Sequence, residues 1–424
     1  ASDFCYTASH DFLSVWTTLY SIDFFDKLGN YERIGGLEVA RVGDDARMDE
    51  IKRKVASAKA FGSRSDLIGP KEIKEKFPLI EESMVQGGLW DPDAGLVTPR
   101  SQTVAGKLVD MAEKTGKLKP YANTAAKSLI IENGRIKGVE TSRGTIMSDH
   151  VVVCAGIWGR LIAEMAGEDL PVMPVDHPLT FFGPYTEFAG TGKDIGYPLL
   201  RDQGNSAYMR DTGDPTTAEG GMIEWGYYEE KNPRMVHPRD ILSKEQSSWS
   251  PSQRDLEMEQ ILEPLERAIE LTPILGELGY DERRSFNGLL QVTADGGPSC
   301  GESRKVRGLW YCVAIWVKDG PAYGKLIADW MTDGRTEVDH AKIDYARFYD
   351  HQLTEDFIAG RCFETGQKIY TPAVHPREPF GNGRNIKRSP FYEREKALGG
   401  YFMELGGWER AHGYAANEHL LEKY

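Results

Sequence analysis

The sequence predicts an α/β fold in which strand–turn–helix units are interleaved with a mixed β-sheet, followed by a small partial C-terminal domain. Three observations carry this. VVVCAGIWG, residues 151–159, is a short apolar run that ends in small residues before a helical pattern. Residues 285–334 read as strand, Gly-Gly-Pro turn, strand, tight loop and helix. Between them, residues 170–285 supply strand-like runs such as PLTFFGP, SAYMRDTG and GGMIEWGYY, joined by long loops.

The elements follow in chain order. Apolar residues recur at helical spacing from Ser9 to Leu28, and Gly29-Asn30 supplies the stop. Tyr31 to Val42 alternates as a strand, and Arg47 to Phe61 reads as a basic amphipathic helix with a solvated face. A short helix from Pro70 to Lys76 ends before Pro78, because the residue before proline avoids the helical region. Thr98-Pro99 predicts a helix start, and the helix runs to Gly116. Asn133-Gly134 separates two alternating runs and predicts a hairpin, since both residues tolerate positive φ. A further helix is expected from Gln253 to Leu271. From residue 345 the texture shifts to Tyr, Arg, Pro and Gly, with a linker-like stretch over residues 375–390.

Composition narrows the function classes. With 424 residues, 40% hydrophobic and 27% charged, the chain fits an ordinary globular protein of two or three domains. A formal charge of −14 argues against a nucleic-acid partner, which needs a clustered positive surface. The five cysteines form no CxxC pair and suit a reducing compartment, so the expected location is cytoplasmic. There is no run of about 18 apolar residues, and no membrane span is expected.

The chemistry-bearing motifs begin with an absence. A dinucleotide fold normally carries GxGxxG after its first strand, where the glycines let backbone approach a pyrophosphate, and this chain has none. VTADGGPSCGES followed by GLWYCVAIWVKDGPAYGKLIADWMTDG places a loop rich in backbone N–H groups before a helix N-terminus, which favours an electron-rich ligand. Turn chemistry alone also accounts for those glycines. The nine histidines form no HxxxH or HExxH, Asp91-Pro-Asp93-Ala-Gly95 lacks the ligand run of a calcium loop, and no GxSxG occurs. Neither a metal centre nor a serine nucleophile is expected.

These segments, together with GGLEVA (35–40), LWDPDAGLVTPR (89–100), PVMPVDH (171–177) and GGWER (406–410), resemble the dimethylglycine and sarcosine dehydrogenase/oxidase family along essentially the whole chain. The resemblance implies an FAD-binding (Rossmann-like, incomplete) domain interleaved with a mixed β-sheet substrate domain. The flavin pieces are expected at about 95–168 and 285–343, and the substrate pieces at about 30–94 and 169–284. Residues 344–424 resemble the central domain and the start of an aminomethyltransferase-like region. Family members carry GxGxxG and then a flavin-linked histidine ahead of the matched region, so the chain reads as beginning after both, and His10 does not take that role.

The implied activity is FAD-dependent oxidative N-demethylation of a small N-methylated amino acid such as dimethylglycine or sarcosine. Hydride passes from the N-methyl carbon to flavin N5, leaving an iminium that hydrolyses to formaldehyde or gives its carbon to tetrahydrofolate in full-length relatives. Implied partners are a folate-dependent aminomethyltransferase module or an electron-transfer partner. By resemblance, His177 and Tyr208 are the catalytic candidates: an imidazole titrating near neutrality favours the free amine, and a tyrosine hydroxyl binds the substrate carboxylate or orients that base. Cofactor contacts carried over are Ala126, Trp158 and the loop Trp316, Val317, Lys318 and Asp319, where the family more often has small or hydroxylated residues than Lys-Asp. Two alternatives stay open: a different carboxylate-bearing secondary or tertiary amine, and a non-catalytic fragment or subunit unable to hold FAD alone.

Overall fold

Period-two alternation in the middle of the chain builds one large sheet. A computed structural model describes residues 3–241, 243, 246, 247, 250–370 and 380–421. Ten strands join in the sheet, and along the main path they run Gln253–Arg254, Phe286–Thr293, Val172–Gly183, Ile223–Tyr227, Ala207–Asp211, Leu199–Asp202, Gly36–Arg41, Val85–Asp91 and Asp66–Ile68. Leu199–Asp202 pairs parallel to Gly36–Arg41 and the other pairs are antiparallel. The long strand Val172–Gly183 is buried on both faces along most of its length, which is why it reads as apolar without strict alternation.

A second, smaller sheet holds Val151–Val153 parallel to Leu309–Val313, which pairs antiparallel with Ser299–Glu302. The expected α/β fold with mixed sheets is therefore observed. Helix Phe12–Lys27, capped by the Asp11 carboxylate, packs on helix Gly320–Asp333 through Leu13, Tyr323 and Leu326. One core joins Leu37, Phe77 and Trp225 with helix Leu262–Leu271. Another joins Val153, Val172, Leu309 and Tyr311 with Phe357 and Ile358 of helix Glu355–Gln367. Each fully buried side chain of this kind contributes about 1.5–3 kcal/mol.

Several local expectations are corrected. The strand expected from Tyr31 to Val42 is two strands, because Gly35 turns the chain at φ +86° and the Trp90 ring fills the space its Cβ would need. The helix expected at Thr98 begins at Ser101, since Thr98 is held by Asn30 as an extension of the preceding strand pairing. Gln253–Arg254 joins the large sheet, so the helix there starts only at Leu262. The basic helix, Asp45–Ala60, does not solvate all its cations. Arg47 and Lys54 are buried, with Lys54 Nζ 2.6 Å from Glu38 and 2.9 Å from Glu50 and Arg47 Nη1 3.1 Å from Glu50. The hairpin forms as expected, with Asn133 and Gly134 both at positive φ. Residues 371–379 of the Pro- and Gly-rich stretch lie outside the described residues.

Candidate active site

The site grows from one row of the large sheet. Glu38, Arg201, Tyr208 and Gly226 are successive cross-strand partners and therefore share a face. Leu179 also pairs with Gly226, so His177, two residues earlier on that strand, lies in the adjacent row on the same side. Gly226 makes the key approach possible. A Cβ there would stand 2.2 Å from Tyr208 Cζ, so only glycine lets the Tyr208 ring lie across the strand towards His177.

The resulting pair is short and directional. His177 Nε2 is 2.6 Å from the Tyr208 hydroxyl, and Nδ1 is 2.9 Å from the Tyr227 carbonyl. A carbonyl only accepts, so Nδ1 carries the proton, Nε2 is the acceptor and Tyr208 donates to it. Tyr228 stacks on the imidazole at 4.4 Å and 20°. Burial dominates the titration of His177, and it is held down to about 3. The expected base near neutrality is thus a neutral imidazole, because the ring lies at 6% exposure beneath the aromatic wall.

These residues line a cavity of about 400 Å³. Phe4, Tyr228, Phe286 and Tyr370 add aromatic wall, and Arg201 faces the same space. Two strand-to-helix turns, Gly156–Ile157 and Ala314–Lys318, line the same cavity. Gln291 ties the turns together, donating to the Gly156 carbonyl at 2.7 Å and accepting from Ala314 N–H at 2.8 Å. Trp316 stacks near Tyr228 at 6.5 Å and closes one side.

The expected site residues divide. His177, Tyr208, Trp316, Val317 and Lys318 all line the cavity. Asp319 turns away to accept from Thr17 at 2.7 Å and from Lys318 at 2.8 Å. In the first turn of helix Gly320–Asp333, Ala322 N–H meets the Ser21 hydroxyl at 3.3 Å. Helix Phe12–Lys27 thus already satisfies part of the helix N-terminus expected to face a ligand. Ala126 starts an exposed three-stranded meander, and Trp158 is 39% exposed, with neither lining the cavity. Arg201, Gly226, Tyr228 and Tyr370 were not legible as site residues. The Gly-Tyr-Tyr run after Trp225 was the available signal for two of them.

Residues 8–330 match the family described as FAD dependent oxidoreductase, and residues 333–389 match the FAD dependent oxidoreductase central domain. The chain belongs to the FAD dependent oxidoreductase family. Within this family it is 29% identical over 409 residues to a 4-methylaminobutanoate oxidase (formaldehyde-forming) of Paenarthrobacter nicotinovorans, covering 94% of this chain and 46% of the relative. It is 28% identical to human mitochondrial sarcosine dehydrogenase over 89% of this chain and 39% of the relative. It is also 28% identical to the mouse mitochondrial pyruvate dehydrogenase phosphatase regulatory subunit, over 90% of this chain and 41% of that protein. The chain thus spans less than half the length of these curated relatives. L-proline dehydrogenase from P. horikoshii shares the fold, with a TM-score of 0.66 at 24% identity over 81% of this chain and 85% of that one.

The family's cofactor is FAD, and the residues present fit its two ends differently. The ring end fits: two backbone turns and Trp316 line the same cavity of about 400 Å³ as the His177–Tyr208 pair. The dinucleotide end does not, because this sequence holds no glycine-rich strand–turn–helix for a pyrophosphate.

Proposed function

We propose that this chain forms the substrate-oxidising region of an FAD-dependent amine oxidoreductase acting on a small N-methylated amino acid such as dimethylglycine, sarcosine or 4-methylaminobutanoate. The observation that carries the reading is the His177–Tyr208 pair, neutral and fixed in one tautomer, facing the turns that fit the flavin ring. FAD, when bound, supplies the acceptor for a hydride from a carbon beside the amine nitrogen.

The protein's part is to present the amine with its lone pair free. Six aromatic side chains line the cavity, and their apolar faces disfavour the ammonium form of the substrate. The proton it releases is taken by the pair as a unit. Tyr208 Oη receives it while passing its own proton to His177 Nε2, and the Tyr227 carbonyl steadies the imidazolium through Nδ1–H. Burial works against the charge on His177, and the same surroundings lower the basicity of the amine that gives up the proton.

The test is anaerobic mixing of FAD-reconstituted protein with these three amino acids, followed by the visible flavin absorbance. Bleaching supports the reading, and none with any of them, FAD being bound, contradicts it. A second reading, a non-catalytic subunit unable to hold FAD alone, is favoured by likeness to a phosphatase regulatory subunit. Loss of all flavin on gel filtration supports that second reading. Tetrahydrofolate, an aminomethyltransferase module and an electron-transfer partner belong to the proposal for a longer protein. The cysteines of the described residues are free, which fits a reducing compartment such as the cytoplasm, although the sarcosine dehydrogenase relative is mitochondrial. No helix among the described residues is long and apolar enough to cross a membrane.

A further inference from the structure

Strand pairing in the smaller sheet brings together three cysteines that the sequence keeps far apart. We infer that Cys154, Cys312 and Cys300 form a thiol relay, a redox-sensitive site that takes oxidising equivalents from a low-molecular-weight disulfide at Cys154 and holds them as a reversible Cys300–Cys312 disulfide. It does not depend on what the cavity binds.

Register places the row. Cys300 and Cys312 are direct cross-strand partners in the antiparallel pair of Ser299–Glu302 with Leu309–Val313. The Cys300 N–H turns away from that partner to the Ile343 carbonyl at 2.8 Å, which marks a pair without mutual backbone hydrogen bonds. In such a pair the Cα atoms stand about 4.5 Å apart, inside the roughly 4.4–6.8 Å that a disulfide spans. On the other edge of Leu309–Val313, Val153 pairs in parallel with Tyr311, so the next residue, Cys154, stands beside Cys312. The Cys154 thiol hydrogen-bonds to Cys312, and Cys312 in turn to Cys300. All three are free thiols, and access is graded along the row: Cys154 is exposed, Cys312 half-buried and Cys300 buried. Cys5 and Cys362 are buried in different apolar clusters from the one that holds Cys300 and Cys312.

The chemistry follows from that order. The Cys154 thiolate attacks one sulfur of the small disulfide, releases the other half as a thiol and keeps the first as a mixed disulfide. Cys312 then attacks the Cys154 sulfur and expels the second half, also as a thiol. Cys300 attacks the Cys312 sulfur in turn, and Cys154 departs with a proton. Two protein thiols are oxidised and one small disulfide is reduced to two thiols. Cys312 is the middle member, so in the last step the attacking and leaving sulfurs stand on opposite sides of it, as an in-line displacement requires. The product lies under the apolar cover of Tyr323, Leu326 and Trp330, out of reach of a competing external thiol. The hydrogen bond to Cys312 pushes the Cys154 thiol up, so its thiolate is scarce and the exchange is slow. In a reducing compartment the row therefore rests as thiols.

The experiment is incubation of the purified chain with oxidised glutathione at mildly alkaline pH. Remaining thiols are then blocked with N-ethylmaleimide in denaturant, and the bridges are mapped by mass spectrometry of unreduced peptides. Wild type is expected to lose two of its five free thiols, to yield the Cys300–Cys312 peptide pair with Cys154, Cys5 and Cys362 alkylated, and to recover all five with dithiothreitol. Cys154→Ser, a change at an exposed position, is expected to slow the bridge roughly tenfold or more, because the buried pair loses its accessible entry. Cys300→Ser is expected to stop at Cys154–Cys312, and Cys312→Ser to hold a glutathione adduct on Cys154 with no bridge. The wild-type map decides even where a buried substitution harms folding. No bridge in wild type, a glutathione adduct on Cys154 as its final product, or a Cys300–Cys312 bridge that forms as fast in Cys154→Ser overturns the relay.

Discussion

Gly226→Ala is the sharpest structural test of the site. The added Cβ would meet Tyr208 Cζ at 2.2 Å, the hydroxyl oxygen at 2.4 Å and Cε1 at 2.6 Å. All three lie well inside van der Waals contact, so the ring must leave its position across the strand. Overpacking of this kind costs about 1–3 kcal/mol. Moving the ring also breaks the 2.6 Å bond to His177 Nε2 and leaves a buried acceptor unmet, adding about 1–3 kcal/mol. The total is about 2–6 kcal/mol, read from urea midpoints at constant m-value. The same substitution in a Tyr208→Ala background removes the clash, and its cost should fall below about 1 kcal/mol. Equal costs in the two backgrounds would falsify the claim that Gly226 exists to admit the Tyr208 ring.

His177 binds a proton in the unfolded chain near its ordinary value but resists it in the fold down to about 3, so stability should fall as pH drops from about 6.5 towards 3, by up to about 1.4 kcal/mol per pH unit. His177→Gln should remove that contribution in urea unfolding across the same window. Lys54→Met leaves Glu38 and Glu50 without their shared cation and should destabilise by about 3–5 kcal/mol, read by unfolding. Gln291→Ala frees the Gly156 carbonyl and Ala314 N–H at the two turns, and should speed hydrogen exchange at Ala314 by more than about tenfold.

What the sequence made legible follows from the range of the interactions involved. His177, Tyr208 and the 316–318 loop sit in local motifs that single them out as candidates, and the structure gathers them around one cavity. Arg201 was hidden because its place beside Tyr208 depends on strand pairings, including a parallel one between Leu199–Asp202 and Gly36–Arg41 that no local pattern encodes. Helix Asp45–Ala60 departs from its expected solvated face for a related reason. Its cations look solvated until Glu38 arrives from a strand to bury Lys54. Gly35 and Gly226 show the same limit, since each is required by an aromatic ring elsewhere, Trp90 in one case and Tyr208 in the other.

The most direct measurement is the rate of anaerobic flavin bleaching by dimethylglycine or 4-methylaminobutanoate in FAD-reconstituted wild type, His177→Ala and Tyr208→Phe. The account predicts bleaching in wild type that slows by roughly 10²- to 10⁴-fold in either variant, the usual contribution of a positioned proton acceptor. Bleaching at the wild-type rate in both variants would contradict it.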